Sequence, residues 1–150
     1  MQKGDDHIHL PCAAGRLVPH KPPMLLVSRL IEKVDNSIED NISIVEAEVP
    51  GGGPFVLNGA LLQEYYIEVM AQAIAASDGY PQVEGKKPAT GLLTGIEEFS
   101  WIGNARPGER IQITFRKIFE FGAAFIFSGS IRGDSGQIAE GRLKIWKVEE

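Results

Sequence analysis

A chain of 150 residues, 43% hydrophobic and 23% charged, fits one soluble globular domain large enough to build its own core. The single cysteine, Cys12, excludes an intrachain disulfide, and a formal charge of −5 argues against general nucleic-acid binding, which calls for a basic face. No stretch approaches the roughly 18 apolar residues of a membrane span, and the start has no apolar core of signal-peptide length, so a cytoplasmic protein is expected.

Residues 1–19 read as an irregular arm on a single domain covering 1–150. His7 and His9 form an H-x-H there without further ligands, so no metal site is expected. His20 stands between prolines in VPHKPPMLLV, where it serves either to cap a turn or to do chemistry. Pro22-Pro23 imposes an extended lead into a strand over Met24–Val34. IEDNISIVEAEV reads as a second strand with a register break, from Ile42, Ile44, Val45, Ala47 and Val49.

PGGGPFVLNG, residues 50–59, has four glycines and two prolines and reads as a loop. It lacks the Lys-Ser/Thr ending of a phosphate loop and the spacing of a dinucleotide fingerprint. Asn58 is a candidate N-cap for a helix starting near Ala60. Thirteen of the seventeen residues from Ala60 to Ala76 are apolar, which predicts a helix buried nearly all round. Glu64, Glu68 and Gln72 recur every fourth residue, which puts them in a strip about 80° wide. The strip is either a narrow solvent face or a row of polar groups in an apolar cleft. In a cleft, desolvation would raise the Glu68 pKa and make it a usable acid near neutral pH. No G-x-S-x-G is present, and Cys12 has no neighbouring base in sequence, so a nucleophilic mechanism is not expected.

The second half is β-rich. TGLLTGIEEFSWI and ERIQITFRKIFEF read as strands, the latter with Ile111, Ile113 and Phe115 on one face. A turn at Phe121-Gly122 leads to AFIFSGSIR, and one at Asp134-Ser135-Gly136 leads to QIAEGRLKIWKV, with Leu143, Ile145 and Val148 marking a face. The order is two strands, one buried helix, four strands. With no second helix to cover the first, an α+β architecture follows, an antiparallel sheet wrapped around one long central helix, as in the hot-dog fold.

PHKPPMLLVSRL, YIEVMAQAIAAS and GLLTGIEEFSWIGNARPGERIQITF together resemble the 3-hydroxyacyl-acyl-carrier-protein dehydratases of the hot-dog fold, over about residues 17–147. The resemblance implies dehydration of a 3-hydroxyacyl thioester to the 2-enoyl thioester. It implies a homodimer, or a heterodimer with another hot-dog subunit, with sites at the subunit interface. The substrate would ride on an acyl carrier protein, whose phosphopantetheine arm belongs to the carrier, so the chain would need no cofactor of its own. Glu68 matches the family's helix carboxylate. Glu64 and Gln72 would line the substrate tunnel with Phe55, Asn58 and Gly59, and backbone N–H groups after Gly59 would stabilise an enolate. Arg106 and Arg110 are candidates for carrier docking, with Arg116, Lys117, Lys86 and Lys87 as further basic residues; the same charges are also ordinary surface groups.

The chain departs from the family at the catalytic histidine, fourteen residues ahead of the glutamate and followed by Phe-Pro. Pro54, Phe55 and Val56 stand there. Either His20 takes the base role, or the chain is a non-catalytic subunit pairing with an active dehydratase. An acyl thioesterase using a carboxylate to activate water is a third reading.

Overall fold

The computed structural model describes residues 10–18, 24–80 and 90–148. Among them one helix, α1 (Glu64–Asp78), lies against a seven-stranded antiparallel sheet. The sheet strands are β1 (Cys12–Ala13), β2 (Arg29–Ser37), β3 (Asp40–Glu48), β6 (Thr90–Trp101), β7 (Arg110–Phe121), β8 (Ala124–Gly133) and β9 (Gly136–Val148). Their order is β1-β2-β3-β7-β8-β9-β6, and β4 (Val56–Leu57) pairs with β5 (Ala60–Leu61) in a separate hairpin.

The alternation of each strand explains the single core. Ser43, Val45 and Ala47 on β3, Ile111, Ile113 and Phe115 on β7, Phe125, Phe127 and Ile131 on β8, and Leu143 and Ile145 on β9 are buried. These side chains meet Tyr65, Tyr66, Val69, Met70, Ala73 and Ile74 of α1. Each large apolar side chain removed from water contributes roughly 1.5–3 kcal/mol. Helix and sheet pack tightly at Gly129 of β8, where a Cβ would stand 2.8 Å from the Met70 sulfur. The far end of α1 is held by Lys33, whose Nζ donates to the carbonyls of Ser77 and Tyr80, both at 2.6 Å.

Several expected boundaries move, each for a local reason. The helix begins at Glu64 instead of near Ala60, and its N-cap is Gln63, not Asn58. With φ of 53° and 79°, Asn58 and Gly59 form the two-residue turn joining β4 to β5, the geometry that Asn-Gly favours between short strands. The strand expected over Met24–Val34 starts at Arg29, since the backbone at Met24 and Leu26 bonds to the Gln72 side chain on α1 instead of a neighbouring strand. β3 pairs with β7 without a break; Ile42 and Ile44 face out, and Ser43 fills an inward position by sharing a hydrogen bond with Ser77 at 2.7 Å. The irregularity lies instead in the β2–β3 pairing, between Leu30 and Glu32 and between Asp35 and Ser37. Val148, expected on the Leu143–Ile145 face, has the opposite parity and is exposed.

The arm also differs from expectation where it is described. Cys12–Ala13 pair with Leu30 and Arg29, residues 14–16 form a 3₁₀ turn, and Cys12, Ala14, Leu17 and Val18 are buried. An apolar cluster at these positions secures the segment to the sheet edge despite its lack of periodicity.

Candidate active site

The helix stripe divides into three environments. Glu64, in the first turn, is exposed and lies outside the groove that holds Glu68. Gln72 is only 1% exposed. Glu68 sits between them, half-buried, at one end of a groove of about 190 Å³. Ala71, Gln72, Ile74, Ala75 and Asp78 of α1 form one wall, and Gly91, Leu93 and Ile145 form the other. The groove exists because β6 is a sheet edge and the helix stripe beside it carries the small residues Ala71 and Ala75.

Gln72 explains how the carboxylate is held. Its Oε1 accepts from the Leu26 N–H at 2.8 Å, and its Nε2 donates to the Met24 carbonyl at 2.7 Å. The same Nε2 donates to Glu68 Oε1 at 3.3 Å. One buried amide therefore links the segment entering β2 to the groove carboxylate. A buried amide side chain is stable only with such partners. The E-x-x-x-Q spacing in sequence placed these groups on one stripe; the bonds to Met24 and Leu26 depend on packing across 46–48 residues and leave no local signal.

Other expected site residues lie elsewhere. His20, like His7, His9, Lys86 and Lys87, is outside the described residues. Pro54, at the position of the family histidine, is exposed in a turn. Phe55 packs edge-on against Tyr65 with ring centroids 6.0 Å apart, and its carbonyl accepts from the Leu62 N–H at 2.8 Å. It supports the helix start and does not line the groove. Asn58 and Gly59 occupy the exposed hairpin turn, four or more residues before α1, so the expected N–H donors after Gly59 are not at a helix N-terminus. At the actual start of α1 the N–H groups of Tyr65 and Tyr66 are already bonded to the Leu62 and Gln63 carbonyls. Arg106 and Arg110 are exposed; Arg106 stands in the turn closed by Glu109, and Arg110 lies 3.8 Å from Glu46, which also pairs with Arg29 at 2.9 Å.

A feature that sequence reading missed lies at the helix start. The Tyr66 hydroxyl donates to Asn104 Oδ1 and accepts from the Ala105 N–H at 2.8 Å, tying α1 to the loop before β7. Trp101 adds a bond from its indole N–H to the Gln63 carbonyl at 3.3 Å. Strand β6 is bulged between Glu97 and Ser100, with Glu98 at φ 50°, and Phe99 then lies over Gly141, where a Cβ has no room. By contrast the Tyr65 hydroxyl, fully buried, has no hydrogen-bond partner among the described residues, and burial pushes its pKa well above the usual phenol value.

One long helix laid in an antiparallel sheet, with an acid lining a groove at the sheet edge, makes this a hot-dog protein. Its fold matches the dehydratase heterocomplex ApeI:P from Xenorhabdus doucetiae with a TM-score of 0.77 at 24% identity, covering 95% of this chain and 94% of that one. The chain belongs to the ApeP-like dehydratase family: the family model, described as ApeP dehydratase, matches residues 12–150. It is similar to the protein named 3-hydroxyacyl-[acyl-carrier-protein] dehydratase FabZ of Syntrophomonas wolfei, 32% identical over 128 residues, covering 82% of this chain and 80% of the relative. The protein of the same name from Nitratiruptor sp. is 26% identical over 144 residues, covering 90% of this chain and 95% of the relative.

Proposed function

We propose that the protein dehydrates 3-hydroxyacyl thioesters presented by an acyl carrier protein, with Glu68 as the acid, and that it works paired with a second hot-dog subunit. The observation that carries this reading is the half-buried Glu68 carboxylate, held by Gln72 at the end of a mostly apolar groove. Dehydration takes a proton from C2, next to the thioester carbonyl, and expels the C3 hydroxyl as water. Glu68 as general acid gives a proton to the departing oxygen, which leaves with the C3–O electron pair, while a base accepts the C2 proton and the C2–H electron pair becomes the new double bond.

The base is the open position, because Pro54 stands where the family keeps its histidine. His20 stands four residues before Met24 in the sequence. Met24 is itself bonded to Gln72 and so lies within two hydrogen bonds of Glu68. His20 is the proposed base in this chain; a histidine contributed by the second subunit is the alternative that Pro54 raises. Pairing is supported by β6, a twelve-residue edge strand with Leu92, Leu93 and Ile96 between 41% and 50% exposed. Such an edge invites another strand. Arg106 and Arg110 are the proposed carrier-facing charges, and the phosphopantetheine arm arrives with the carrier.

The test is incubation of a 3-hydroxyacyl carrier protein with the chain alone and with a hot-dog dehydratase subunit. Formation of the 2-enoyl thioester, read by absorbance, supports the proposal. Release of free thiol instead would make the protein a thioesterase, and no product under either condition would contradict the reading.

A further inference from the structure

Resting on that reading, we propose that the Asp78–Lys147 ion pair is the far wall of the acyl groove and limits the chain length of the substrate. The groove runs along α1 from Glu68 to Asp78. Lys147 Nζ lies 2.9 Å from Asp78 Oδ2 and 4.0 Å from the Phe125 ring centroid, so the ammonium is held from two sides. Asp78 marks the end of the apolar groove lining. Asp78 also lines a separate cavity of about 30 Å³, whose polar lining is Lys33, Asp35, Asn41, Ser43, Ser77 and Lys117.

An apolar chain can therefore advance past Ala71, Ala75 and Leu93 but meets charge at Asp78. The pair retains some exposure, with side chains 30% and 21% accessible, so a methyl end pressed against it would strip water from two charges. A chain ending earlier meets only apolar walls. Ten residues of helix separate Glu68 from Asp78, about 15 Å of rise, which an extended chain covers in roughly a dozen bonds. The groove volume of about 190 Å³ sets a tighter limit of about six water-sized groups. Counted from C3, which sits beside Glu68, an octanoyl chain places five carbons in the groove and satisfies both limits, whereas a palmitoyl chain places thirteen and exceeds both.

The experiment measures binding of octanoyl- and palmitoyl-pantetheine thioesters to the full chain, alone and with its pairing subunit, by calorimetry. Octanoyl should bind at least about tenfold more tightly, the reverse of simple hydrophobic transfer. The double variant Asp78→Ala/Lys147→Met, which removes both charges together, should erase that preference. Ala75→Leu, which fills the groove midway, should weaken octanoyl binding by a similar factor. Equal binding of both thioesters by the native protein, or an unchanged preference in a folded double variant, overturns the proposal. If the double variant does not fold, unchanged octanoyl binding by Ala75→Leu overturns it. Because binding is read without turnover, a length limit in a protein that dehydrates nothing would sink the dehydratase reading and leave this one standing.

Discussion

Gln72→Leu is the sharpest probe of how the site is built. Leucine keeps a similar volume but can neither accept from the Leu26 N–H nor donate to the Met24 carbonyl, bonds of 2.8 and 2.7 Å in the native protein. A buried backbone group left without a partner costs about 1–3 kcal/mol. Leu26 is buried and should carry the larger share, whereas Met24 is 43% exposed and its carbonyl can turn toward water. The apolar gain of the leucine returns roughly 1 kcal/mol. Counting the Leu26 N–H in full and the partly exposed Met24 carbonyl at about 1 kcal/mol, the net loss is about 1–3 kcal/mol, a large part of the roughly 5–15 kcal/mol that holds a domain together. Urea unfolding should show a lower midpoint with an unchanged m-value. Glu68→Gln should leave the midpoint within about 0.5 kcal/mol, because a half-exposed group at 3.3 Å gains little from its bond. A Gln72→Leu protein as stable as the native one would refute the view that this amide fastens the strand entrance to the helix.

Three further outcomes follow from the same geometry. Tyr65→Phe should be neutral or stabilising at pH 7, since its hydroxyl has no partner, whereas Tyr66→Phe should cost about 1–3 kcal/mol by orphaning the Ala105 N–H; thermal melts of the two variants decide. Burial raises the Tyr65 pKa above the unfolded value of about 10, so its contribution is intact below pH 10 and is lost as pH climbs toward the folded value; stability should fall above pH 10 by up to about 1.4 kcal/mol per unit, less steeply in Tyr65→Phe. Ile96→Lys on the β6 edge should abolish subunit pairing in light-scattering measurements while leaving the monomer folded, because Ile96 is 46% exposed in the isolated chain.

The fold was legible because its long elements obey simple periods. The apolar helix and the alternation of Ile111, Ile113 and Phe115 report one buried face each, and together they force a sheet around a helix. Short elements were not legible. Asn58 before an apolar run resembles a helix cap, although Asn-Gly between Val56-Leu57 and Ala60-Leu61 is also a hairpin signal; the long apolar run masks the two-residue strands. Ser43 concealed the true face of β3 because its inward position is satisfied by Ser77, a partner 34 residues away. The Glu68–Gln72 stripe was visible from spacing, and only packing separated exposed Glu64 from buried Gln72. The groove's far end lay beyond sequence reading altogether, since Asp78 and Lys147 are joined by the sheet wrapping back onto the helix C-terminus.

The most direct measurement compares enoyl-thioester formation by the native protein and by Glu68→Gln, each in the presence of the pairing subunit and a 3-hydroxyacyl carrier protein. Loss of the acid should lower turnover by about 10²–10⁴-fold while the urea midpoint stays in place. Turnover by Glu68→Gln within a few-fold of native would mean that the carboxylate in the groove does not protonate the leaving hydroxyl, and the account of this site would fail.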